Sequence, residues 1–346
     1  MTNTRVTPPV VPLSADDLEA YKAQRRPSEF GGCYMCQGLF VKATGGLGCS
    51  CQIGYYADMG NIAEIDMGAF VKGPLLRYIR ESFKDGYEPF EMCARCYSKT
   101  AKYPELDLET SVAIHVEPSN SCNLWCSVCL CTEERRSNNE PPRVNLDVAA
   151  FEKMLHEIKA AGLTMGTLAL VGYGEPLFNS DTPRMAAMGR ALFPDAYIFI
   201  DTNCNFGTRR AREIADCGLS EVRLALDGVD QESYEGYRRG GNFAKAVAFT
   251  RHLADAVRET GSGTKLIWKY IMFNHNDGED QLRLAIGMAK ELGVEIQFDY
   301  TFGDRASKRS KEDLDKIIGS ARTSFNLDRD AQKAIDRHIA EAAEQE

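Results

Sequence analysis

The sequence predicts an α/β protein built on a partial (β/α)6 barrel, preceded by a small Cys-rich N-terminal domain. Three observations predict it. From Glu109 onward, short apolar runs alternate with amphipathic helices, an alternation that implies parallel strands because parallel neighbours need crossover connections. Six such repeats fall short of the eight that close a full barrel. Upstream, six of the twelve cysteines lie in the first 100 residues, in a segment poor in aliphatic side chains.

Residues 1–30 are a Thr- and Pro-rich lead-in with a short helix expected at 15–24, where Ser14 is placed as its N-cap. Residues 31–104 are rich in Cys, Gly and Tyr, with a strand expected at 39–43 and a helix at 73–83. With so few aliphatic residues, this segment needs a metal to hold it together. The barrel is expected over 105–304. Its strands fall at 112–116, 167–171, 197–201, 221–226, 266–273 and 295–300, and its helices at 147–161, 181–192, 208–215, 243–260 and 280–292. Residues 305–346 are charged and helix-prone, a C-terminal helical extension with no further strand expected.

Apolar residues make up 44% of the 346, ample for a sizeable core. The net charge of −9 argues against nucleic acid as a partner, because phosphate binding needs a basic surface. No stretch reaches the roughly 20 apolar residues that span a bilayer. Met1 to Pro12 carries Arg5 but no apolar run of the kind found in a secretory signal. These features predict a cytoplasmic protein with no membrane partner, where clustered thiols serve metals or catalysis rather than disulfides.

The first barrel strand, Ala113-Ile-His-Val-Glu-Pro118, runs into Cys122-Asn-Leu-Trp-Cys126-Ser-Val-Cys129. Three thiols then sit at the C-terminal mouth, the face where such folds build their sites. Three thiolates can hold three corners of a cubic [4Fe-4S] cluster and leave the fourth iron open, whereas an electron-transfer cluster normally has four. Structural zinc is the competing reading, with Cys131 as a fourth ligand. After the second strand comes Gly172-Tyr-Gly-Glu-Pro176, in which glycines let the backbone approach a ligand and Glu175 can pair with an ammonium group. The third strand ends in Asp201-Thr-Asn-Cys204 and the fourth in Leu224-Ala-Leu-Asp-Gly228, followed by Tyr234-Glu-Gly-Tyr-Arg-Arg-Gly-Gly-Asn-Phe243. The fifth, from Trp268, ends in the polar run Asn274-His-Asn-Asp277, where Asn276 and Asp277 are placed to hold adenosine or substrate hydroxyls. The histidines support no Ser-His-Asp arrangement.

In this order the motifs resemble those of the radical S-adenosylmethionine (radical SAM) superfamily, whose partial barrel the fold would then share. The resemblance implies that Cys122, Cys126 and Cys129 ligate a [4Fe-4S] cluster whose open iron chelates SAM. One electron from it would cleave a carbon–sulfur bond and release the 5′-deoxyadenosyl radical. Gly172, Gly174 and Glu175 are similar to the family's GGE motif, which puts Glu175 on the SAM amino group. Thr202 and Asn203 resemble the Thr-Asn-Gly after the third strand, with Cys204 in place of glycine. Asp227 resembles that of Ser-Ile-Asp-Gly, with Ala225 in place of serine, and Arg238 or its neighbour Arg239 would approach the SAM carboxylate or ribose. Cys204 is read either as a buried small residue or, like Cys217, as a hydrogen-atom donor.

Cys36 is followed by nine residues, Gly46, four residues and Cys51, and later by Cys93-x-x-Cys96. This order resembles the twitch or SPASM auxiliary-cluster module, as does Met59-Gly-Asn-Ile-Ala, although here the module precedes the barrel. The resemblance implies a second [4Fe-4S] cluster on Cys36, Cys51, Cys93 and Cys96, with Cys33 and Cys49 as alternates. A zinc ribbon on Cys33, Cys36, Cys93 and Cys96 competes, but the 56 residues between the pairs exceed the roughly 15–20 of a compact ribbon. The expected function is a radical SAM oxidoreductase or epimerase that takes hydrogen from a sugar, cyclitol or similar polar small molecule, with reduced flavodoxin or ferredoxin as electron donor. Maturation of a ribosomal peptide or protein is the alternative, and a zinc-held binding module the third.

Overall fold

One ten-stranded sheet carries the molecule in the computed structural model, which describes residues 19–20, 22–23, 25–33, 38–49, 58–90, 93, 99–100, 110–129, 132, 143–301, 304–319 and 322–324. Its strands, in chain order, are Leu39–Val41 (β1), Gly46–Gly48 (β2), Asp58–Asn61 (β3), Ser111–Val116 (β4), Thr164–Leu170 (β5), Tyr197–Thr202 (β6), Glu221–Ala225 (β7), Lys265–Met272 (β8), Glu295–Tyr300 (β9) and Arg322–Ser324 (β10). The spatial order is β10-β9-β8-β7-β6-β5-β4-β1-β2-β3. From β1 through β4 to β10 every neighbouring pair is parallel, while β1, β2 and β3 pair antiparallel. Helices Met67–Val71 (α1), Pro74–Lys84 (α2), Val148–Ala160 (α3), Thr182–Leu192 (α4), Thr208–Ala215 (α5), Gln231–Glu235 (α6), Phe243–Thr260 (α7), Glu279–Leu292 (α8) and Lys311–Ile318 (α9) join them.

Local chemistry sets these boundaries. Asp147 opens α3 by accepting from Ala149 N at 2.8 Å, and Asn242 opens α7 by accepting from Lys245 N at 2.8 Å. Gly261 and Gly293 close α7 and α8 at φ 65° and 70°, where only glycine adopts the left-handed turn without strain. In β4, Val112, Ile114 and Val116 point outward into the main core with Phe151 and Leu155 of α3 and Trp268 of β8. The alternate residues, Ala113 and His115, face the concave interior and are less buried.

The six expected strands and five expected helices of the barrel are all present, most with ends shifted by a residue or two. Two differences stand out. The C-terminal tail, expected to hold no strand, supplies β10, whose three residues are too short to show an alternating pattern. The segment expected as a Cys-rich unit is continuous with the barrel sheet, since β1 pairs with β4 in register Leu39↔Ile114 through Val41↔Val116. The expected helix at 15–24 falls largely outside the described residues, as do residues 325–346.

The N-terminal segment is also fastened to α3. Met67 N donates to Glu157 Oε2 at 3.0 Å, and Lys153 Nζ donates to Ile62 O and Ile65 O at 3.2 and 2.7 Å. At Gly68 an added Cβ would stand 2.6 Å from both Ala161 Cβ and the Glu157 carbonyl oxygen. A carbonyl in a helix cannot rotate away, so the overpacking loss of about 1–3 kcal/mol outweighs the roughly 1 kcal/mol of helix propensity that alanine brings. Gly68→Ala is therefore expected to lower the urea midpoint of unfolding; a raised midpoint would show that α1 moves off α3 freely.

Candidate functional site

The cysteine loop leaves the C-terminal end of β4 and is held by the segment after α6. Trp125 N donates to Arg239 O at 2.9 Å and Ser127 N to Tyr237 O at 3.0 Å. Cys126 is buried with Leu124, Tyr237 and Phe273 in a small apolar cluster, and Cys122, Cys129 and Ile271 pack against it. The Tyr237 and Phe273 rings lie 4.6 Å apart. All three thiols of the motif are thus brought to one place at the barrel mouth. Three N–H groups point at their sulfurs: Arg238 Nη1 at 3.8 Å from Cys126 Sγ, and Asn203 Nδ2 at 3.7 Å and Leu124 N at 3.4 Å from Cys122 Sγ. Burial pushes the Cys126 thiol up to about 11, against the pull of Arg238.

Arg238 is anchored by Asp227. Its Nε and Nη2 both stand 2.5 Å from Asp227 Oδ2, while Asp227 Oδ1 accepts from Ile271 N at 2.6 Å. Asp227 is fully buried at φ 43°, a left-handed turn that a short polar side chain tolerates. Burial raises its carboxyl and Arg238 opposes the rise; burial also disfavours the guanidinium charge, but Asp227 holds Arg238 well above its ordinary value. Arg239 is exposed, so Arg238 is the arginine the fold directs into the site. Asn276, also fully buried, donates to Asp227 O and Ile271 O at 2.9 and 3.0 Å and accepts from Phe273 N at 2.7 Å. Those bonds fasten the loop after β8. Asp277 fastens it further, accepting from Ser307 Oγ at 2.6 Å.

Glu175 caps the short 3-10 turn Pro176–Phe178 by accepting from Leu177 N at 3.2 Å, and its other oxygen accepts from Asn203 N at 2.7 Å. Burial raises its carboxyl to about 7, the backbone bonds and Thr202 opposing the rise. Each carboxylate oxygen has two lone pairs, so capacity to accept remains. Gly172 and Gly174 serve a purpose that the sequence did not reveal. A Cβ at Gly174 would lie 2.1 Å from Ser119 O, and one at Gly172 would lie 2.4 Å from Glu117 Cγ. The missing side chains let this loop close on the end of β4 rather than leaving space for a ligand. Glu117 completes that junction, accepting from Tyr173 N at 2.8 Å, Gly174 N at 3.3 Å and Ala43 N at 3.1 Å.

Asn203 Nδ2 also donates to Asn123 Oδ1 at 2.8 Å, Asn123 donates to Asn205 O at 3.1 Å, and Thr202 Oγ1 accepts from Cys204 N at 3.2 Å. This amide chain locks the end of β6 to the cysteine loop. Cys204 adopts φ 61°, which explains why glycine is usual there, and its thiol lies fully buried in the main core. Cys217, pushed up to about 12 by burial, sits between α5 and β7 at the opposite end of the sheet from the mouth. The structure therefore does not bring either thiol into the cluster around Cys122, Cys126 and Cys129.

Residues 116–285 match the family model described as the radical SAM superfamily. This stretch is a radical SAM domain. The chain is also 25% identical over 223 residues to GTP 3′,8-cyclase 2 of Mycobacterium bovis, covering 62% of this chain and 58% of that protein. It is 24% identical over 220 residues to GTP 3′,8-cyclase of Hydrogenovibrio crunogenus, covering 62% and 63%. The matches thus span under two thirds of these relatives. Among solved structures, a radical SAM methyltransferase from Sphaerobacter thermophilus aligns with a TM-score of 0.47 at 16% identity, over 64% of this chain and 67% of that one.

A radical SAM domain implies a [4Fe-4S] cluster and SAM. The donor types fit: three thiols pack around one small apolar cluster, with N–H groups directed at two of the sulfurs, as N–H donors that support a metal-bound thiolate are. Among the described residues no three His, Cys, Asp or Glu side chains converge as ligands of a single ion would. Of the expected auxiliary ligands, Cys36, Cys51 and Cys96 lie outside the described residues, as does Cys131. Cys33 and Cys49 pack against the main core, and Cys93 N donates to Phe90 O at 3.0 Å. Among the described residues no helix is long and apolar enough to cross a membrane.

Sequence reading did not single out Glu117, Asn123, Asn205 or Tyr237. Only Glu117 left a signal, as a carboxylate directly after a strand of alternating apolar residues. Asp227→Asn is expected to destabilise the chain by about 3–5 kcal/mol, because it strands a buried guanidinium, while Arg239→Ala stays within about 0.5 kcal/mol. Urea denaturation of both variants checks this, and equal effects would contradict the assignment of Arg238.

Proposed function

We propose that the chain is a radical SAM enzyme that cleaves SAM reductively to the 5′-deoxyadenosyl radical and takes a hydrogen atom from a polar small molecule, giving dehydrogenation; epimerisation, which needs a thiol to return a hydrogen atom, is disfavoured by the burial of Cys204 and Cys217 in the main core. The carrying observation is the packing of Cys122, Cys126 and Cys129 around one small apolar cluster at the barrel mouth, with Arg238 and Asn203 against two of the sulfurs. A [4Fe-4S] cluster on the three thiolates supplies the electron for SAM cleavage. Arg238 and Asn203 steady the thiolates through N–H···S contacts, and the Asp227 carboxylate fixes the guanidinium that makes one of them. Glu175 receives the SAM ammonium with its remaining lone pairs. The ends of β6 and β7, through Thr202, Asn203 and Asp227, shape the rest of the cofactor wall, closed by the Gly172 and Gly174 loop.

A second [4Fe-4S] cluster on Cys36, Cys51, Cys93 and Cys96, with Cys33 and Cys49 as alternates, would accept the electron that a substrate radical must lose in a two-electron oxidation. The cysteine spacing supports it. Reduced flavodoxin or ferredoxin is the expected electron donor. Nucleotide cyclisation is the second reading, favoured by the names of the relatives.

Anaerobic reconstitution followed by reduction in the presence of SAM is expected to yield 5′-deoxyadenosine, with about eight irons per chain if both clusters form. No 5′-deoxyadenosine from a properly assembled chain would refute the proposal. Zinc without sulfide would do the same. A pH series tests Glu175. Only the ionised carboxylate pairs with an ammonium ion, so SAM affinity rises as pH increases through about 7. It levels or falls above about 8 as the α-amino group loses its proton. Glu175→Gln is expected to weaken binding by about tenfold or more and to abolish the rise below neutrality; an unchanged slope would remove Glu175 from the amino site.

A further inference from the structure

The concave face of the sheet departs from what a barrel interior usually holds. Barrel lumens are packed by branched aliphatic residues, yet here Asp201 of β6, Glu221 and Arg223 of β7, Lys269 of β8 and Asp299 of β9 all share that face, as the register shows. Lys269 Nζ lies 3.1 Å from Asp201 Oδ2 and 3.8 Å from Asp299 Oδ2. Arg223 Nε lies 2.6 Å from Glu221 Oε1, and its Nη1 lies 3.8 Å from Asp201 Oδ1. The layer is not sealed. The side chains of Asp201 and Arg223 are each 31% exposed and that of Lys269 21%, and His115 on the same face is exposed.

Its position follows from β8. Ile271 packs against the cluster that contains the three cysteines, and Lys269 is the next residue down the same face. Two residues of strand are about 7 Å. The charged layer therefore forms a floor one side chain beneath the mouth, where a molecule lying under the cofactor would rest.

The charges on that floor discriminate between substrates. Both cations are already matched, Arg223 by Glu221 and Asp201, Lys269 by Asp201 and Asp299. Carboxylates outnumber cations in the layer by three to two. Asp201 Oδ1 is buried and accepts no hydrogen bond among the described residues. A phosphate or carboxylate would meet no uncommitted cation in this layer, whereas a hydroxyl or ammonium group would meet an excess of acceptors.

We propose that the Asp201–Arg223–Lys269–Asp299 layer is the substrate floor, and that it takes an uncharged or cationic polyol, such as an amino sugar or aminocyclitol, through hydroxyl or ammonium groups donated to Asp201. The assignment rests on the reading that the mouth above holds SAM, and it opposes a nucleotide triphosphate in this layer. Equilibrium dialysis of the reconstituted chain with SAM tests it, using glucosamine, myo-inositol, glucosamine 6-phosphate and GTP as probes. Glucosamine or myo-inositol is expected to bind at least about tenfold more tightly than either phosphorylated probe, and Asp201→Asn to weaken glucosamine by about tenfold. Tighter binding of GTP or glucosamine 6-phosphate would overturn the assignment, as would no binding of any probe. A folded Asp201→Asn chain with unchanged affinity would overturn it too. The comparison of probes uses the unaltered chain and does not depend on the variant. Because dialysis needs no SAM cleavage, probe binding without 5′-deoxyadenosine would refute the proposed function alone, and the converse would refute the floor alone.

Discussion

The buried contact between Asp227 and Arg238 is the constraint on which the site depends. One carboxylate ties together the end of β7, the backbone of β8 at Ile271 and the segment after α6 that carries Arg238. That same segment holds the cysteine loop through Trp125 and Ser127, and the guanidinium reaches Cys126. Such a pair is costly to desolvate, and its net contribution to stability is small. Its effect is positional, since the loss of either partner would release the wall facing the three thiols.

The remaining order of the site follows from the two faces of the sheet. Outward-facing Val112, Ile114, Leu168, Ile198, Val222, Trp268 and Phe298 join the main core and fix the strands against their helices. Inward-facing positions are free of that duty, so they can carry charge. The helices thus provide the stability, and the concave face and the loops at its mouth provide the chemistry. Glu117 links the two, because its carboxylate gathers backbone N–H groups from the Gly172–Gly174 loop and from Ala43 beyond β1. Through it the N-terminal segment is continuous with the Gly172–Gly174 loop at the barrel mouth.

Much of this was legible in the sequence. Apolar alternation located the barrel helices, and the order of the strand ends placed Cys122, Cys126 and Cys129 at the mouth. Glu175 stood out in the sequence only in register with the cysteine triplet one strand earlier, and the structure buries it beside Asn203 at the end of β6. What was not legible depends on contacts between distant elements. The choice of Arg238 over Arg239 turns on which side chain meets Asp227, and adjacent arginines have the same local pattern. Gly172 and Gly174 looked like room for a ligand, but the space is taken by Ser119 and Glu117. Asn276 looked like a ligand contact until its partners Asp227, Ile271 and Phe273 were visible. The charged residues of β6 to β9 carry no local sign of their place, because only the curvature of the sheet turns that face into an interior.

The central claim is that the three loop thiolates hold a cluster with one iron open to SAM. Electron paramagnetic resonance of the reduced, reconstituted chain tests it most directly. A signal whose g-values shift when SAM is added, and which is lost in Cys126→Ala, is the predicted result. A spectrum unaltered by saturating SAM, or a SAM-responsive component that survives without Cys126, would contradict it.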